Sequence, residues 1–152
     1  MTDGPGWRWP AWGARSQSDA VGIRPFDGAV DLLSRLKDRG DRVAIWTSRD
    51  LASAALVLKH SGLDRFVQKC VSGTCVMEHT PHPEGLLRIL GEYGCPPEDA
   101  VMVGDHENDM RAARQAGTYA IRASWNPHGE TTPCVHAHQQ FRRIADLKTW
   151  LG

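Results

Sequence analysis

The feature that most constrains this chain is a short apolar run that ends in a glycine and is followed by two aspartates. Residues 101–103 have the composition of a buried parallel strand, and Gly104 allows a sharp turn at its carboxyl end. Asp105 follows at once, at the edge where open α/β sheets bind their ligands. Asn108 is a candidate N-cap for the next helix, which places Asp109 in the first helical turn. Two converging carboxylates are hard oxygen ligands, so the pattern predicts a magnesium site formed by Asp105 and Asp109.

A purely structural interpretation of the same residues stays open. In that interpretation, Asp105 caps the turn, and Asp109 only improves the electrostatics at the positive end of the helix. This alternative needs no metal ion.

The rest of the chain alternates helical and apolar extended segments, which indicates an α/β fold with a parallel sheet. Apolar residues at helical spacing and glycine stops predict helices at 29–37, 51–60, 83–93, 109–116 and 141–151. Short β-rich runs predict strands at 42–46, 66–71, 101–103 and 119–122, and the run at 119–122 is expected to be the last strand of the chain. Leu86, Leu87 and Leu90 are expected on the buried face of their helix.

Length and composition limit what such a fold can contain. The chain has 152 residues with 41% hydrophobic content, which suits one domain with a substantial core. Lys plus Arg and Asp plus Glu both number 18, so no net charge favours nucleic acid or an anionic membrane as a partner. No apolar run approaches the roughly 20 residues of a membrane span. No signal-peptide core is found either, which predicts a cytoplasmic protein.

The four cysteines lack paired CxxC spacing and are expected to be free thiols in a reducing compartment. They are Cys70, Cys75, Cys95 and Cys134. Cys134, His136 and His138 alternate along the chain and form a candidate zinc cluster, although a fourth ligand is not evident. Ordinary loop residues without a metal are the alternative interpretation.

Four stretches of the chain stand in the order of known family motifs. They are Pro25-Phe26-Asp27-Gly28 with the helix after it, Val43-Ala44-Ile45-Trp46-Thr47-Ser48, Thr80-Pro81-His82-Pro83-Glu84-Gly85, and Val103-Gly104-Asp105-His106-Glu107-Asn108-Asp109. From Pro25 to Gly117, with weaker support to Leu151, the chain thereby resembles the haloacid dehalogenase superfamily, particularly its phosphatase-like members.

The resemblance implies a three-layer, Rossmann-like parallel sheet with helices on both faces, formed by residues 25–152 without a full cap domain. It also implies Mg²⁺-dependent hydrolysis of phosphate monoesters, in which an aspartate attacks the phosphoryl group while magnesium and a lysine neutralise charge. Thr47, Ser48 and Thr80 would then bind phosphate, and Asp105 and Asp109 would hold the metal. A Thr47 that only ends a strand and caps the next helix is the alternative.

Two departures from the family pattern bear on activity, and the first lies in the third motif. Thr80 stands where the family has lysine, so a positive charge is missing there. His79 would be mostly neutral near pH 7, and the sequence does not place Arg49 or Lys69 in the site. Ordinary loop roles are favoured for His79 and His82.

The amino terminus is the second departure, because the family's first strand and its Asp-x-Asp-x-Thr motif are not found there. Residues 1–24 are rich in Gly, Trp, Arg and Ser and are expected to be irregular, with the central first strand missing or replaced. One alignment puts residues 1–5 over the motif and keeps Asp3 as the catalytic acid and base. A second alignment uses residues 10–14 and keeps only the glycine. Under either alignment the attacking carboxylate is absent.

The tryptophans of this segment are expected either to cover the gap in the sheet or to form an exposed patch. They are Trp7, Trp9 and Trp12. With Arg8 and Arg15 they also admit a stacking surface for nucleotides, which is a weaker alternative.

The spacing of the motifs predicts an open site. Residues 48–79, 32 in all, are too few for a helical cap domain. Such a site would accept bulky or macromolecular phosphate esters, or a lid from a partner subunit, so a homo-oligomer is among the expected assemblies.

Two functions therefore stay open. The first is a magnesium-dependent phosphohydrolase, either degenerate or lacking its true start. The second is a catalytically inactive relative that binds phosphate and metal, or a partner protein, on the same scaffold.

Overall fold

The computed structural model describes residues 6–7, 25–47, 49–72, 82–126 and 134–152, and they form one parallel sheet with helices on both faces. The strands are β1 (Gly6–Trp7), β2 (Ala44–Trp46), β3 (Lys69–Val71), β4 (Val101–Gly104), β5 (Tyr119–Ala123) and β6 (Gln139–Phe141). The α-helices are α1 (Ala29–Asp38), α2 (Leu51–Ser61), α3 (Glu84–Tyr93), α4 (Glu107–Ala116) and α5 (Ile144–Leu151). Short 3₁₀ turns occupy Leu63–Phe66 and Pro97–Asp99. The strand order is β3-β2-β1-β4-β5-β6, and every neighbouring pair is parallel.

The centre of the sheet is occupied by the two residues of β1. Gly6 pairs with Ala44 of β2 and Met102 of β4, and Trp7 pairs with Ile45 and Val103 in the same way. The segment 1–24, expected to be irregular, therefore contributes to the sheet at this point, while its other residues lie outside the described part of the chain. The central strand was expected to be missing or replaced, and Gly6 and Trp7 are the described residues that occupy its position.

The two faces of the sheet carry separate apolar layers, because successive residues of a strand point to opposite sides. One layer packs Ile45, Val103 and Ile121 against α1, α2 and α5. Its fully buried helix residues include Leu32, Leu33, Leu36 and Leu147. The other layer packs the alternate strand residues, among them Met102 and Ala120, against α3 and α4. The prediction of an α/β sheet with helices on both faces is confirmed.

Close packing of α3 onto β2 depends on Gly85. A Cβ atom at this position would lie 2.2 Å from the Nε1 atom of Trp46, whose side chain is buried. Glycine therefore lets the helix backbone rest directly on the indole ring. Leu86, Ile89 and Leu90 then bury the apolar face of α3.

Several sequence-based expectations need correction. Leu87 is 47% exposed, and Ile89 takes the place expected for it on the buried face of α3. The strand at 119–123 is not the last of the chain, because β6 follows it and pairs beside it. Two exposed glutamines begin β6 and gave no apolar signal. Phe141 belongs to β6, so the closing helix begins at Ile144 instead.

The described cysteines Cys70, Cys95 and Cys134 are free thiols, as expected, and Cys75 lies outside the described residues. Among the residues that the structure describes, no helix is long and apolar enough to cross a membrane.

Candidate functional site

The register of the sheet places Thr47 and Asp105 at the same level on either side of β1. Trp7 pairs with both Ile45 and Val103, and Thr47 and Asp105 each lie two residues beyond those partners. The two residues thus flank the central strand at the carboxyl edge, with their Cα atoms separated by roughly 10 Å, about twice the spacing of neighbouring strands. Ligands of parallel α/β sheets bind at this edge.

Thr47 is buried, with 6% of its surface exposed, and its polar atoms are fixed by neighbours. Its backbone N–H donates to the Val71 carbonyl at 3.0 Å, and its Oγ accepts the Arg49 N–H at 3.2 Å. Because the hydroxyl oxygen is the acceptor in this contact, the hydroxyl hydrogen can still be donated to an anion. The cap of α2 is Asp50, whose carboxylate accepts the Ser53 N–H at 2.8 Å, so Thr47 does not cap that helix.

The turn after β4 is held by a capping box rather than by Asn108. His106 is the N-cap, and its Nδ1 accepts the Asn108 N–H at 3.0 Å. Asp109 completes the capping box from the first turn, where its Oδ2 accepts the His106 N–H at 3.2 Å. The prediction that Asn108 caps the helix is wrong, because α4 begins at Glu107 and Asn108 lies inside it. The prediction that Asp109 lies in the first turn is confirmed.

Asp109 is completely buried, and it packs directly on Gly104. A Cβ atom at Gly104 would lie 2.6 Å from the Asp109 Cβ and 2.7 Å from its Oδ2. Glycine therefore makes room for this carboxylate beneath the turn that carries Asp105. Asp105 itself is partly exposed at the edge of the sheet.

The chemistry of these residues fits Mg²⁺ better than a metal that needs a closed cage. Mg²⁺ usually binds protein through one or two carboxylates and takes water and substrate phosphate for its other positions. Asp105 is the more accessible carboxylate, and Asp109 has one oxygen committed to the His106 N–H. Within the described ranges, no group of three or more His, Cys, Asp or Glu side chains is arranged to hold a metal. The zinc interpretation of Cys134, His136 and His138 is therefore wrong.

Three of the residues predicted for the site lie outside the described part of the chain. They are Asp3, Ser48 and Thr80. In the sequence, Asp3 precedes β1, whereas the family's catalytic aspartates follow their strand. The first acid after Trp7 in the chain is Asp19.

Of the described cations weighed as substitutes for the missing lysine, Arg49 lies at the carboxyl edge and Lys69 does not. Its Nη1 donates to Ser53 Oγ at 2.6 Å, which ties the guanidinium to the first turn of α2. Lys69 begins β3 at the opposite edge and forms an ion pair with Glu92 at 2.5 Å. His82 accepts the Glu84 N–H at 3.1 Å on the surface, which agrees with an ordinary loop role. His79 lies outside the described residues.

A link between α4 and the segment 134–138 was not foreseen from the sequence. The Glu107 carboxylate accepts the Val135 N–H at 3.1 Å and contacts Nδ1 of His136 through its other oxygen. Burial raises the pKa of Glu107, but hydrogen bonds from Cys134 and His136 outweigh that effect and hold its pKa below the usual value. Burial and the hydrogen bond to Glu107 raise the pKa of the Cys134 thiol. Glu107 lies 27 or more positions before its partners in the sequence, so no local pattern predicts these contacts.

Comparison with known proteins gives the family. The model of the haloacid dehalogenase-like hydrolases matches residues 11–123, so the chain belongs to this family. Asp3 and β1 lie before the matched range.

Individual relatives are similar over most of this chain. The pyrophosphatase PpaX of Bacillus pumilus is 30% identical over 86% of the chain, and the phosphoglycolate phosphatase of Rhodospirillum rubrum is 30% identical over 87% of it. The crystal structure of CbbY from Rhodobacter sphaeroides in complex with phosphate is 25% identical over 86% of the chain, with a TM-score of 0.76. The chain spans 61%, 55% and 60% of the lengths of these three proteins, respectively.

Proposed function

We propose that the protein is a phosphohydrolase that cleaves phosphate monoesters with Mg²⁺. The observation that carries this proposal is the placement of Thr47 and Asp105 at one level on either side of β1. The pyrophosphatase and phosphatase relatives support the reaction class, and the phosphate bound to CbbY supports an anion as the ligand.

Each site residue of the chain has a separate proposed role. The Thr47 hydroxyl donates to a phosphate oxygen, together with backbone N–H groups of the loop that continues into Ser48. Asp105 holds Mg²⁺, and Asp109 supports Asp105 through the turn between them. When bound, Mg²⁺ supplies positive charge beside the phosphate oxygens. Asp3 and Thr80 are the remaining residues proposed for the site, as acid and base and as a phosphate ligand.

The described residues after Thr47 favour an open site. Residues 49–72 form α2, a 3₁₀ turn and β3, all of which belong to the sheet and its covering layer. No helical cap is present in that part of the chain. We therefore propose phosphate esters with bulky or macromolecular leaving groups as the substrate class.

The test is hydrolysis of phosphate monoesters of increasing size by the full chain, with and without Mg²⁺. We expect magnesium-dependent turnover, with Thr47→Ala costing on the order of 10²-fold in kcat, as the loss of one oxyanion donor does in other enzymes. Thr47→Ser keeps the hydroxyl and should keep most of the activity. Asp105→Asn and Asp3→Ala should both abolish turnover if their proposed roles hold.

Asp99→Asn is the matched control for Asp105→Asn. Asp99 precedes β4 at the opposite edge of the sheet and is exposed, so its replacement removes the same charge without touching the site. Turnover that is indifferent to Asp105→Asn, or that falls equally with Asp99→Asn, would contradict the proposal.

A second candidate function is binding of phosphate and Mg²⁺ without turnover. Two observations favour it: no acid follows Trp7 until Asp19, and Thr80 replaces the lysine of the third motif. Titration of a folded but inactive chain with Mg²⁺ and inorganic phosphate decides this case. Binding that weakens in Thr47→Ala and Asp105→Asn would support the binding function, whereas the absence of binding by equilibrium dialysis would exclude it.

A further inference from the structure

Glu107 is a third acid in the turn that carries the candidate metal ligands, and both of its carboxylate oxygens are held by residues outside that turn. Oε2 accepts the Val135 N–H at 3.1 Å, and Oε1 contacts Nδ1 of His136. The two candidate ligands lie two positions away on either side of Glu107. Because like charges this close in the chain repel one another, a carboxylate at this position needs partners of its own. The segment 134–138 supplies them.

A second residue of α4 holds the same segment. Nε of Arg114 donates to the His136 carbonyl at 2.7 Å. Arg114 lies seven positions after Glu107, which is about two helical turns, so both side chains stand on one face of α4. His136 is therefore held from both ends of this face. We call residues 134–138 the strap, because they lie across this face of the helix.

The strap continues from α4 to β5. The His138 N–H donates to the Ala120 carbonyl at 2.8 Å, and Nδ1 of His138 accepts the Ala120 N–H at 2.9 Å. The His138 ring also stacks on Tyr119. Cys134 and Ala137 pack on the apolar layer beneath α3 and α4. Helix α4 and strand β5 are thus joined by contacts that do not pass through the turn after β4.

We propose that the strap fixes the start of α4 against β5 and thereby positions Asp105, with Glu107 and Arg114 as positioning residues of the candidate metal site. The ladder between β4 and β5 ends at Gly104, the residue before Asp105. The helix that follows begins at Glu107. The place of Asp105 therefore depends on how the start of α4 sits relative to the sheet. The contacts of the strap stand on the described geometry, whereas the role for Asp105 rests on the proposed function.

The test uses two variants for which charge alone predicts the opposite result. Arg114→Met removes a positive charge, and His136→Phe leaves the Glu107 carboxylate in place but removes its ring partner. At about pH 8, where histidine is neutral, charge alone would leave Mg²⁺ binding unchanged or make it tighter. If the strap positions Asp105, both variants should instead raise the Kd for Mg²⁺ about tenfold, as loss of an outer-shell partner typically does. Equilibrium dialysis of the full chain measures the Kd, and a value that stays level or falls in either variant overturns the positioning role.

Arg111→Met is the matched control for Arg114→Met. Arg111 is exposed on the same helix, three positions before Arg114, and none of the described contacts of the strap involves it. Its replacement removes the same charge and should not raise the Kd. Arg114→Lys keeps the charge and a donor, so it should restore most of the affinity lost in Arg114→Met. Equal Kd values in Arg111→Met and Arg114→Met would overturn the proposal.

Hydrogen exchange in the presence of EDTA reports on the strap without any metal. The Asn108 N–H donates to Nδ1 of His106 at the start of α4. We expect its exchange with solvent to become about tenfold faster in Arg114→Met and in His136→Phe, while the amides of α1 keep their rates. Arg111→Met should change neither.

The two readouts separate this proposal from the proposed function. A wild type that binds no Mg²⁺, together with faster exchange in the two strap variants, would end the metal part of the proposed function and support the strap. Unchanged exchange at Asn108 overturns the strap whether or not Mg²⁺ binds. If His136→Phe does not fold, Arg114→Met decides, because Arg114 is exposed and its replacement leaves the core intact.

Discussion

Gly104 and Asp109 are packed so closely that the site tolerates no side chain on the glycine. In Gly104→Ala, the new methyl group would overlap the Asp109 carboxylate and push it from beneath the turn. We expect the free energy of unfolding to fall by about 1 to 3 kcal/mol, the usual cost of overpacking a core. Urea unfolding measures this difference.

Gly91→Ala is the control for that substitution. Gly91 lies on the exposed side of α3, and a Cβ atom there would meet no atom within 4 Å. In a helix interior, alanine is expected to be more stable than glycine by roughly 0.5 to 1 kcal/mol. If the free energy of unfolding rises in Gly104→Ala as it does in Gly91→Ala, the contact between Gly104 and Asp109 does not limit stability.

Single residues of the site were only partly predictable from the sequence. The position of Asp109 followed from its spacing to Asp105, because a helix that starts soon after a strand must place that residue in its first turn. The cap was misassigned because Asn is a common N-cap and His is not, while the actual cap is selected by the extended backbone of His106. The burial of Arg122 could not be predicted from the residues around it in the sequence, because it results from the pairing of β5 with β4.

The contact of α3 with β2 gives a prediction for a whole element. In Gly85→Ala, a Cβ atom 2.2 Å from the Trp46 indole nitrogen would force either the ring or the helix to move. Trp46 is 2% exposed and lies in the buried layer beneath α3, so we expect a loss of about 1 to 3 kcal/mol in the free energy of unfolding. Thermal unfolding together with near-ultraviolet circular dichroism reports both the loss and any change around the indole.

The same helix supplies the comparison for this change. Gly91→Ala adds an identical methyl group to α3 on its solvent side. A Gly85→Ala protein as stable as Gly91→Ala would show that α3 does not rest on Trp46.

His138, the residue before β6, is expected to make the stability of the protein depend on pH. Its ring stacks on Tyr119 with centroids 4.4 Å apart, and its Nδ1 accepts the Ala120 N–H at 2.9 Å. Partial burial lowers the pKa of His138, and the charge of Arg114 lowers it further. The folded state therefore favours the neutral ring, and stability should decline as pH falls from about 6.5, where the unfolded chain begins to take up the proton.

His138→Phe keeps a ring for stacking but removes the titrating group. The free energy of unfolding of the two proteins is compared at several pH values between 8 and 5.5. We expect the decline in the wild type to be steeper than in the variant, and parallel curves would contradict the prediction.

Elements with a strong apolar signal were predicted well, and those without one were not. The runs that became β2 and β4 are buried at every position, which made them recognisable. β6 begins with two exposed glutamines, and among the described strands its neighbour is β5, so its sequence resembles that of a loop. Leu87 was misplaced because helical spacing fixes which residues share a face but not how wide the covered part of that face is.

At the scale of the whole molecule, the alternation of helices and strands was enough to predict a parallel α/β sheet with two covering layers. The order of the strands was not derivable from that alternation, because it depends on which connections cross the sheet. The placement of Thr47 and Asp105 on either side of one strand could not be predicted for the same reason. It passes through Gly6 and Trp7, and a Gly-Trp pair among further Gly, Pro and Arg residues carries no strand signal.

The central position of β1 also has a consequence for how the molecule opens. Two residue pairs on each side are the only described ladder between the half formed by β2 and β3 and the half formed by β4, β5 and β6. The larger half contains the longest of the described ladders, in which four residues of β4 pair with β5. Under native conditions with increasing denaturant, we expect the amide protons of β2 and β3 to exchange with solvent at a lower denaturant concentration than those of β4 and β5. A single exchange threshold for both halves would contradict this. The molecule then opens in two cooperative units that are joined through β1, and Thr47 and Asp105 lie on opposite sides of this strand.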